Sequence, residues 1–275
     1  MSQTLFSQSA YSLPQENHHL TLREPLRHQD PLQERLHRKQ RLAASYRLFA
    51  QLGFEVGVAG HFTARDPIEP DHYWINPFGV PFSQISVSHL QRVDGNGLVV
   101  EGQGVLNTSA LELHYDLQKA RPDVVGIAHV HGFHGRVWSS LGKLFQPITA
   151  ESGAFVGDQV IFERHALRGA DGRLERDRER VSRAFVETFG QHNLLVWQNH
   201  GLWTVGQSVE SAAWRFMMAD DTARAHLLAY AAGTPVVPEI DAPREGDRTG
   251  KEMFAWINFL PLWDRISMEQ PDLLD

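Results

Sequence analysis

The sequence predicts an α/β fold built as a single domain. Short runs rich in β-branched and aromatic residues alternate with longer stretches in which apolar residues recur at helical spacing. Two of the short runs flank Asp-Gly-Asn-Gly at residues 94–97, which is a strong signal for a β-hairpin. No internal repeat or linker divides the chain. We therefore expect an extended N-terminal arm (1–30), one domain (31–235) and a C-terminal tail with a short helix (236–275).

The helices are predicted from their apolar period and their capping residues. Asp30 is placed to cap a helix that starts at Pro31 and runs to about Leu52, where Gly53 ends it. Further helices are expected over residues 108–120, 134–141, 173–183, 208–232 and 251–263.

The remaining apolar runs are predicted to be strands. They cover residues 54–65, 73–75, 87–93, 98–101, 124–128, 146–149, 154–162 and 194–197. The large tryptophan side chains near these runs are expected in the core: Trp138, Trp197, Trp203 and Trp214.

Composition limits the classes of function. The 275 residues are 42% hydrophobic and 21% charged, which is ordinary for a globular protein. The net charge of -7 argues against a nucleic-acid partner. The chain contains no cysteine, which excludes thiolate metal ligands and fits a cytoplasmic location. No apolar run approaches the roughly 20 residues of a membrane span, so no membrane partner is expected.

Histidines at strand ends are the candidate metal ligands. His129 and His131 close an apolar run two residues apart, so their side chains point to the same face. His200 follows another apolar run and precedes a glycine, which places it near a second strand end. Together the three imidazoles predict a metal site, whereas ordinary buried or surface histidines are the alternative.

Five short segments extend this pattern along the chain: residues 57–61, 75–79, 121–123, 129–131 and 199–201. Their order and spacing resemble the class II aldolase/adducin family over roughly residues 42–233. The resemblance implies an α/β/α sandwich around a mostly antiparallel central sheet. It also implies a divalent metal on His129, His131 and His200, and a homotetramer with the site at a subunit interface.

The sequence departs from the aldolases at their acid/base. Those enzymes carry a catalytic glutamate on the helix before Arg-Pro-Asp, and the matching position here is Ala110. Glu112 lies two residues on, about 200° around a helix, so it cannot simply substitute. Because proton abstraction needs a base within hydrogen-bond reach, we consider Glu151 as a replacement acid/base.

The family's phosphate-binding positions also differ. Sugar-phosphate aldolases use small and hydroxylated groups there, whereas this chain has Gly-His at 60–61 and Phe-Gly at 78–79. A phenylalanine removes a donor and adds an aromatic wall, which favours an aromatic or apolar acid over a sugar phosphate. The residues expected to bind the substrate are His61, Phe78, Gly79, Thr108 and Ser109.

Three imidazoles without a carboxylate leave ligand positions open on an octahedral ion. Such a site suits Fe(II) and O₂, although the commoner version has two histidines and one carboxylate. One branch of the family, the non-heme iron oxygenases of aminocoumarin antibiotic biosynthesis, converts a prenylated 4-hydroxyphenylpyruvate through a mandelate to a 4-hydroxybenzoate. Resemblance to that branch implies Fe(2+) as cofactor, with an aromatic 2-oxo acid and O₂ as reactants. A Zn(2+)-dependent aldolase or lyase with a relocated base, and a non-catalytic adducin-like module, remain alternatives.

Other side chains have a functional and a structural interpretation. His134 could be catalytic, as a donor to ligand or substrate, or it could form a structural hydrogen bond. His114 could face the space left by Ala110, but packing on the helix surface is favoured. Arg136 and Lys143 are candidate carboxylate partners, with ordinary surface charge favoured.

The last predicted helix carries an aromatic patch that is too apolar to leave in water. Following the family, we expect it near a subunit boundary. Its residues are Phe254, Trp256, Phe259 and Trp263.

Overall fold

The computed structural model describes residues 23, 25, 28–238 and 252–275, without the side chains of residues 108–111. Within these residues eight strands form one sheet: β1 (His61–Arg65), β2 (Tyr73–Ile75), β3 (Gln91–Val93), β4 (Val99–Glu101), β5 (Gly126–His129), β6 (Gln159–Phe162), β7 (Leu194–Trp197) and β8 (Gly201–Gly206). Their order is β4-β3-β2-β1-β5-β8-β7-β6, and every neighbouring pair is antiparallel except β6 and β7. The expected α/β fold with a mostly antiparallel sheet is confirmed.

Six α-helices of the described residues cover the sheet: α1 (Pro31–Gln51), α2 (Thr108–Ala120), α3 (Phe133–Ser139), α4 (Arg178–Phe189), α5 (Val209–Ala232) and α6 (Glu252–Glu269). One hydrophobic core joins α1, α3, α5 and α6 to one face, and a second joins α2 and α4 to the other. The four tryptophans expected in the core are all buried. No helix in these ranges is long and apolar enough for a membrane span.

Alternation along β5 decides which face receives the histidines. Ile127 packs in the core beneath α2 and α4, whereas Ala128 and Val130 pack in the core beneath α1 and α5. Since successive side chains of a strand point to opposite faces, His129 lies on the same side as Ile127. The candidate metal site therefore belongs to the α2 and α4 side of the sheet.

The first helix begins and ends where the sequence predicts. The Asp30 carboxylate accepts a hydrogen bond from the Leu32 amide, and Pro31 occupies the first helical position. Gly53 follows the helix with φ of 77°, a left-handed conformation that glycine adopts without a steric cost.

The strand expected over residues 54–65 is shorter than predicted. It begins only at His61, because Gly57 and Gly60 have φ values of 58° and 97° and the chain turns at both. The apolar residues of this stretch indicated a strand, but its glycines adopt a positive φ that turns the chain.

Two more predicted strands begin with a 3-10 turn. Val87–His89 forms such a turn before β3, and Ser152–Phe155 forms one before β6. Short apolar runs do not distinguish these turns from strands by periodicity alone. The turn at 94–97 between β3 and β4 is confirmed.

The strand predicted over residues 146–149 is wrong. Pro147 has no amide hydrogen for a ladder, and the segment is an irregular turn. The helix predicted over residues 173–183 starts later, at Arg178, because the Asp177 carboxylate caps it by accepting from the Glu179 and Arg180 amides.

The C-terminal helix α6 is longer than predicted and packs on its own chain. Trp256 and Phe259 are buried, and the helix lies against α5 and α1. This burial removes the solvation argument for a subunit boundary, so tetrameric assembly stays an expectation from the family resemblance. Most of the predicted N-terminal arm lies outside the described residues, although Arg23 forms an ion pair with Asp264 of α6.

We predict that Phe259→Ala destabilises the fold strongly. Phe259 has no exposed surface, so truncation leaves a cavity and should lower the free energy of unfolding by about 3–5 kcal/mol. Met268→Ala on the same helix is the control, because Met268 is 77% exposed and should change stability by about 0.5 kcal/mol or less. Urea unfolding measures both, and equal effects would contradict the packing of α6.

Candidate metal centre

Strand pairing brings distant histidines together. β5 lies between β1 and β8, with His61 directly opposite His129 on β1. His200 was expected at a strand end, but it lies in the tight turn between β7 and β8. Asn199 makes this turn with φ of 62°, a left-handed conformation that asparagine tolerates better than most residues. Because β8 pairs with β5, the turn delivers His200 to the end of β5.

The loop before β1 packs directly on the segment that carries the first two histidines. A Cβ atom on Gly60 would lie 2.9 Å from the Cα atom of Val130, between His129 and His131. Position 60 requires glycine for two reasons, the positive φ and this close approach of the backbone. Any larger residue would displace the end of β5.

The three imidazoles converge as the sequence predicts. His129 Nε2 lies 3.2 Å from His200 Nε2, and one nitrogen of His131 joins them with all three within 4.8 Å. Two nitrogens held about 2.1 Å from one ion, at angles of about 90–110°, are about 3.0–3.4 Å apart. The triad could therefore hold a divalent metal ion. Among the described residues, no carboxylate joins this cluster.

His129 is held in the tautomer that metal ligation requires. Its Nδ1 lies 2.8 Å from the Leu202 carbonyl oxygen, which only accepts, so Nδ1 carries the proton. The bare Nε2 then faces His200. Trp203 stacks on the His129 ring with 4.3 Å between centroids and 11° between planes, which fixes its orientation. The sequence did not predict the Leu202 contact, because a carbonyl acceptor has no side-chain signature.

Burial keeps the three rings neutral. Burial is the largest cause of a lowered pKa in each ring. The pKa of His129 lies well below the usual value, that of His131 is also lowered, and that of His200 is lowered to about 4. Neutral imidazole is the form that binds metal ions. At neutral pH the triad therefore needs to lose no proton before it binds an ion.

A second histidine pair lies buried beside the triad. His61 Nδ1 is 2.6 Å from His114 Nε2, and His114 Nδ1 is 2.7 Å from Thr63 Oγ1. The His61 and His129 ring centroids are 5.2 Å apart. The favoured prediction for His114, helix-surface packing, is wrong because His114 is fully buried. It shares the inward face of α2 with Leu117, a periodicity that the sequence contained.

This hydrogen-bonded chain has two proton arrangements. If Thr63 donates to His114, then His114 donates to His61, and the second nitrogen of His61 carries a proton. In the reverse order that nitrogen is an acceptor. Burial lowers the pKa of both rings well below the usual value, so both arrangements are neutral. His61 can thus meet either a donor or an acceptor without a change of charge.

We predict that His114 makes the metal-free fold sensitive to acid. A lowered pKa in the folded state gives stability that is present above the ordinary value of 6.5 and is lost as the pH falls below it. Between pH 6 and 5, His114→Gln should reduce the slope of unfolding free energy against pH by about 1.4 kcal/mol per unit, because one proton is no longer taken up.

The measurement is urea unfolding in chelator at several pH values. His165→Gln is the matched control, because His165 is exposed and its loss should leave the slope unchanged. Identical slopes for wild type and His114→Gln would contradict a buried neutral ring.

His134 lies on α3 and contacts Asp220 rather than the triad. Its Nδ1 is 2.9 Å from Asp220 Oδ2, while Asp220 Oδ1 accepts from the Gly135 amide at 2.8 Å. These bonds hold the start of α3 on α5, which favours the structural interpretation. The sequence did not predict Asp220 because its partner lies 86 residues away. A catalytic role for His134 stays a prediction.

Glu151 is exposed and precedes a 3-10 turn. It is outside the group of described side chains whose ligand atoms converge on one point. Its role as a replacement acid/base therefore stays a prediction without a supporting contact.

The predicted substrate positions are only partly described. Phe78 is 41% exposed, and Gly79 has φ of 90° in the turn that follows β2. Tyr46 fixes this turn relative to β1, because its hydroxyl lies 2.6 Å from Asn76 Oδ1 and accepts from the Phe62 amide. The side chains of residues 108–111 are outside the described part. The roles of Thr108 and Ser109, and the orientation of Ala110, therefore stay predictions.

A surface pocket of about 250 Å³ lies elsewhere, and none of the triad lines it. It is bounded by Arg65, Pro70, Asp71, Tyr115, Gln118 and Lys119.

The fold and the histidine cluster agree with a family assignment. Residues 40–227 match the model of the class II aldolase and adducin N-terminal domain. The chain belongs to the class II aldolase and adducin family.

Similar proteins within this family have different names and reactions. The chain is 35% identical to decarboxylase NovR of Streptomyces niveus, over 88% of each chain. It is 34% identical to a 4-hydroxy-3-prenylphenylpyruvate oxygenase/4-hydroxy-3-prenylbenzoate synthase of Streptomyces roseochromogenus subsp. oscitans, over 88% of this chain and 86% of that one. Among solved structures it resembles L-fuculose 1-phosphate aldolase from Glaciozyma antarctica PI12, with a TM-score of 0.81, 33% identity and coverage of 91% and 96%.

Proposed function

We propose that this chain is a non-heme Fe(II)-dependent oxygenase of antibiotic biosynthesis. Its substrate is an aromatic 2-oxo acid of the prenylated 4-hydroxyphenylpyruvate type, which it converts through a mandelate to a 4-hydroxybenzoate. The observation that carries this proposal is the convergence of three neutral imidazoles with no carboxylate among the described residues. The similarity to the prenylphenylpyruvate oxygenase, which extends over most of both chains, supports it.

The chain's own groups would prepare the site. His129, His131 and His200 would hold Fe(II), and the ion would supply open coordination positions and the redox chemistry that O₂ requires. The Leu202 carbonyl keeps His129 oriented, and the rings of Trp203 and Trp197 shield the inner edge of the triad from water. His61 would bind a polar substrate group beside the triad.

The overall reaction balances without an external reductant. One O₂ and the aryl 2-oxo acid give the mandelate and one CO₂, because the substrate's own oxidative decarboxylation supplies the electrons. A second O₂ converts the mandelate into the benzoate, CO₂ and water. The reaction therefore needs no separate 2-oxoglutarate.

A metal-dependent aldolase or lyase is the second candidate. The similarity to L-fuculose 1-phosphate aldolase favours it, since that likeness covers nearly the whole of both chains. Against it stands the absence of any described carboxylate from the cluster. A non-catalytic module is disfavoured, because an interaction surface would not require three converging imidazoles.

The proposal is tested with ¹⁸O₂ and an aryl pyruvate on anaerobically purified, Fe(II)-loaded protein. We predict substrate-dependent O₂ uptake and a mandelate with at least one labelled oxygen, in its new carboxylate. His200→Ala should lower metal content and reduce turnover by about 100-fold or more, since even indirect supports of metal ligands commonly contribute 10- to 100-fold.

His165→Ala is the matched control, because this exposed ring should affect neither metal content nor turnover. Full turnover without O₂, or release of an aldehyde and pyruvate, would support the lyase and contradict the oxygenase. Zinc rather than iron in the protein as purified, before it is loaded with Fe(II), would also favour the lyase.

We predict that Ala110→Glu blocks oxygen uptake. Position 110 precedes the buried His114 by four residues on α2, and such positions share a helix face. A carboxylate there would restore the aldolase acid/base and compete for a ligand position on the ion. Ala110→Gln has a similar volume without charge and should retain more activity. Unchanged O₂ uptake in Ala110→Glu would mean that position 110 does not face the metal.

A further inference from the structure

Arg136 lies beside the triad on the short helix α3. A Cβ atom on Gly201 would be 3.8 Å from both Arg136 Cγ and His129 Cε1, so the arginine stem runs along the turn that carries His200. Its positive charge also acts on His131, where it adds to the effect of burial in lowering the pKa. The guanidinium therefore belongs to the electrostatic environment of the candidate metal site.

Arg136 differs from the other inward arginines in having no polar partner. It is half-buried, its Nε is buried, and no hydrogen bond or ion pair reaches its side chain within the described ranges. Every other described arginine that is buried or half-buried makes at least one such bond. The Arg136 Cζ atom lies over the Phe133 ring, 5.9 Å from the ring centroid.

An unpaired guanidinium next to a cation-binding site is electrostatically unfavourable. Partial burial removes some of its hydration, and a divalent ion held by three neutral imidazoles would add repulsion. An anion between the two positive groups would remove both penalties. The arginine fork is also the group whose planar donors match a carboxylate in a bidentate pair.

We propose that Arg136 is a substrate-binding residue that pairs with the carboxylate of the 2-oxo acid at the triad. The inference rests on the proposed function for the identity of the acid. A 2-oxo acid carries its carboxylate next to its keto group, so a fixed cation beside the metal ligands matches the position of that charge. Arg136 would thus select substrates that retain the carboxylate and would orient the keto group towards the ion.

Binding measurements under nitrogen test this without turnover. Calorimetric titrations of the metal-loaded protein would use phenylpyruvate and, as a neutral comparison, phenylacetone, which has a methyl group in place of the carboxylate. Arg136→Gln should weaken phenylpyruvate binding by about 10- to 100-fold, as expected for loss of a charged hydrogen-bonded partner, and leave phenylacetone unchanged. The affinity of Arg136→Lys for phenylpyruvate should lie between those of wild type and Arg136→Gln, because lysine keeps the charge but not the planar pair of donors.

Arg183→Gln is the matched control. Arg183 is an exposed arginine of α4 that pairs with Glu179, so its loss removes one surface charge and should leave phenylpyruvate binding unchanged. Metal content and melting temperature establish that each variant is folded and loaded. If Arg136→Gln fails either check, the phenylpyruvate affinity of Arg136→Lys is compared with that of wild type instead, and equal affinities would overturn the inference.

The outcomes separate this inference from the proposed function. Arginine-dependent binding of phenylpyruvate without O₂ uptake would uphold Arg136 as the carboxylate partner and contradict the oxygenase. O₂ uptake with equal phenylpyruvate affinity in wild type and the Arg136 variants would uphold the oxygenase and overturn the inference. Tighter arginine-dependent binding of inorganic phosphate than of phenylpyruvate would also overturn it, because the partner would then be a phosphate.

Discussion

The antiparallel pairing of β5 with β8 is the constraint on which the site depends. His129 and His131 are local neighbours, but His200 follows them by about seventy residues, and only this pairing returns it to them. The same pairing places the Leu202 carbonyl opposite the His129 ring and Trp203 beneath it. One set of backbone hydrogen bonds therefore fixes the ligand positions, the tautomer of one ligand and the surface on which it rests.

The groups around the triad bury several polar atoms, and these atoms need hydrogen-bond partners. Beside His129, the buried rings of His61 and His114 and the hydroxyl of Thr63 satisfy one another. This chain of neutral hydrogen bonds pairs both nitrogens of His114 and one nitrogen of His61, and it avoids a buried charge, which would be costly. The preformed site needs little reorganisation to bind metal, and bound metal would in turn stabilise the fold.

The sequence predicted the elements whose signals are local. Helix caps such as Asp30, the hairpin at 94–97 and the shared face of His129 and His131 depend on neighbouring residues, and these expectations were confirmed. Short strands were predicted less well, because the glycines before β1 and Pro147 override an apolar run. The apolar run before His200 suggested it as a third ligand at a strand end, and the family resemblance strengthened its association with the other two histidines.

Contacts between distant segments explain what the sequence could not give. The helical spacing of His114 and Leu117 could have indicated the inward face, but nothing near His114 in the sequence indicated that Thr63 and His61 would be its buried partners. The same holds for His134, whose partner Asp220 comes from α5. In both cases the side chain could be assigned to a helix face, but its partner depends on how the layers stack.

Charge balance links the missing carboxylate to the choice of substrate. A divalent ion on the triad and the Arg136 guanidinium beside it would repel each other. An aldolase-type glutamate would offset part of that repulsion permanently, whereas among the described residues no carboxylate joins the triad and no polar group pairs with the Arg136 side chain. On the proposal made for Arg136, the compensating anion would arrive with the substrate. A site balanced in this way would bind acids in preference to neutral carbonyl compounds, because only an acid brings the negative charge that offsets the two positive groups.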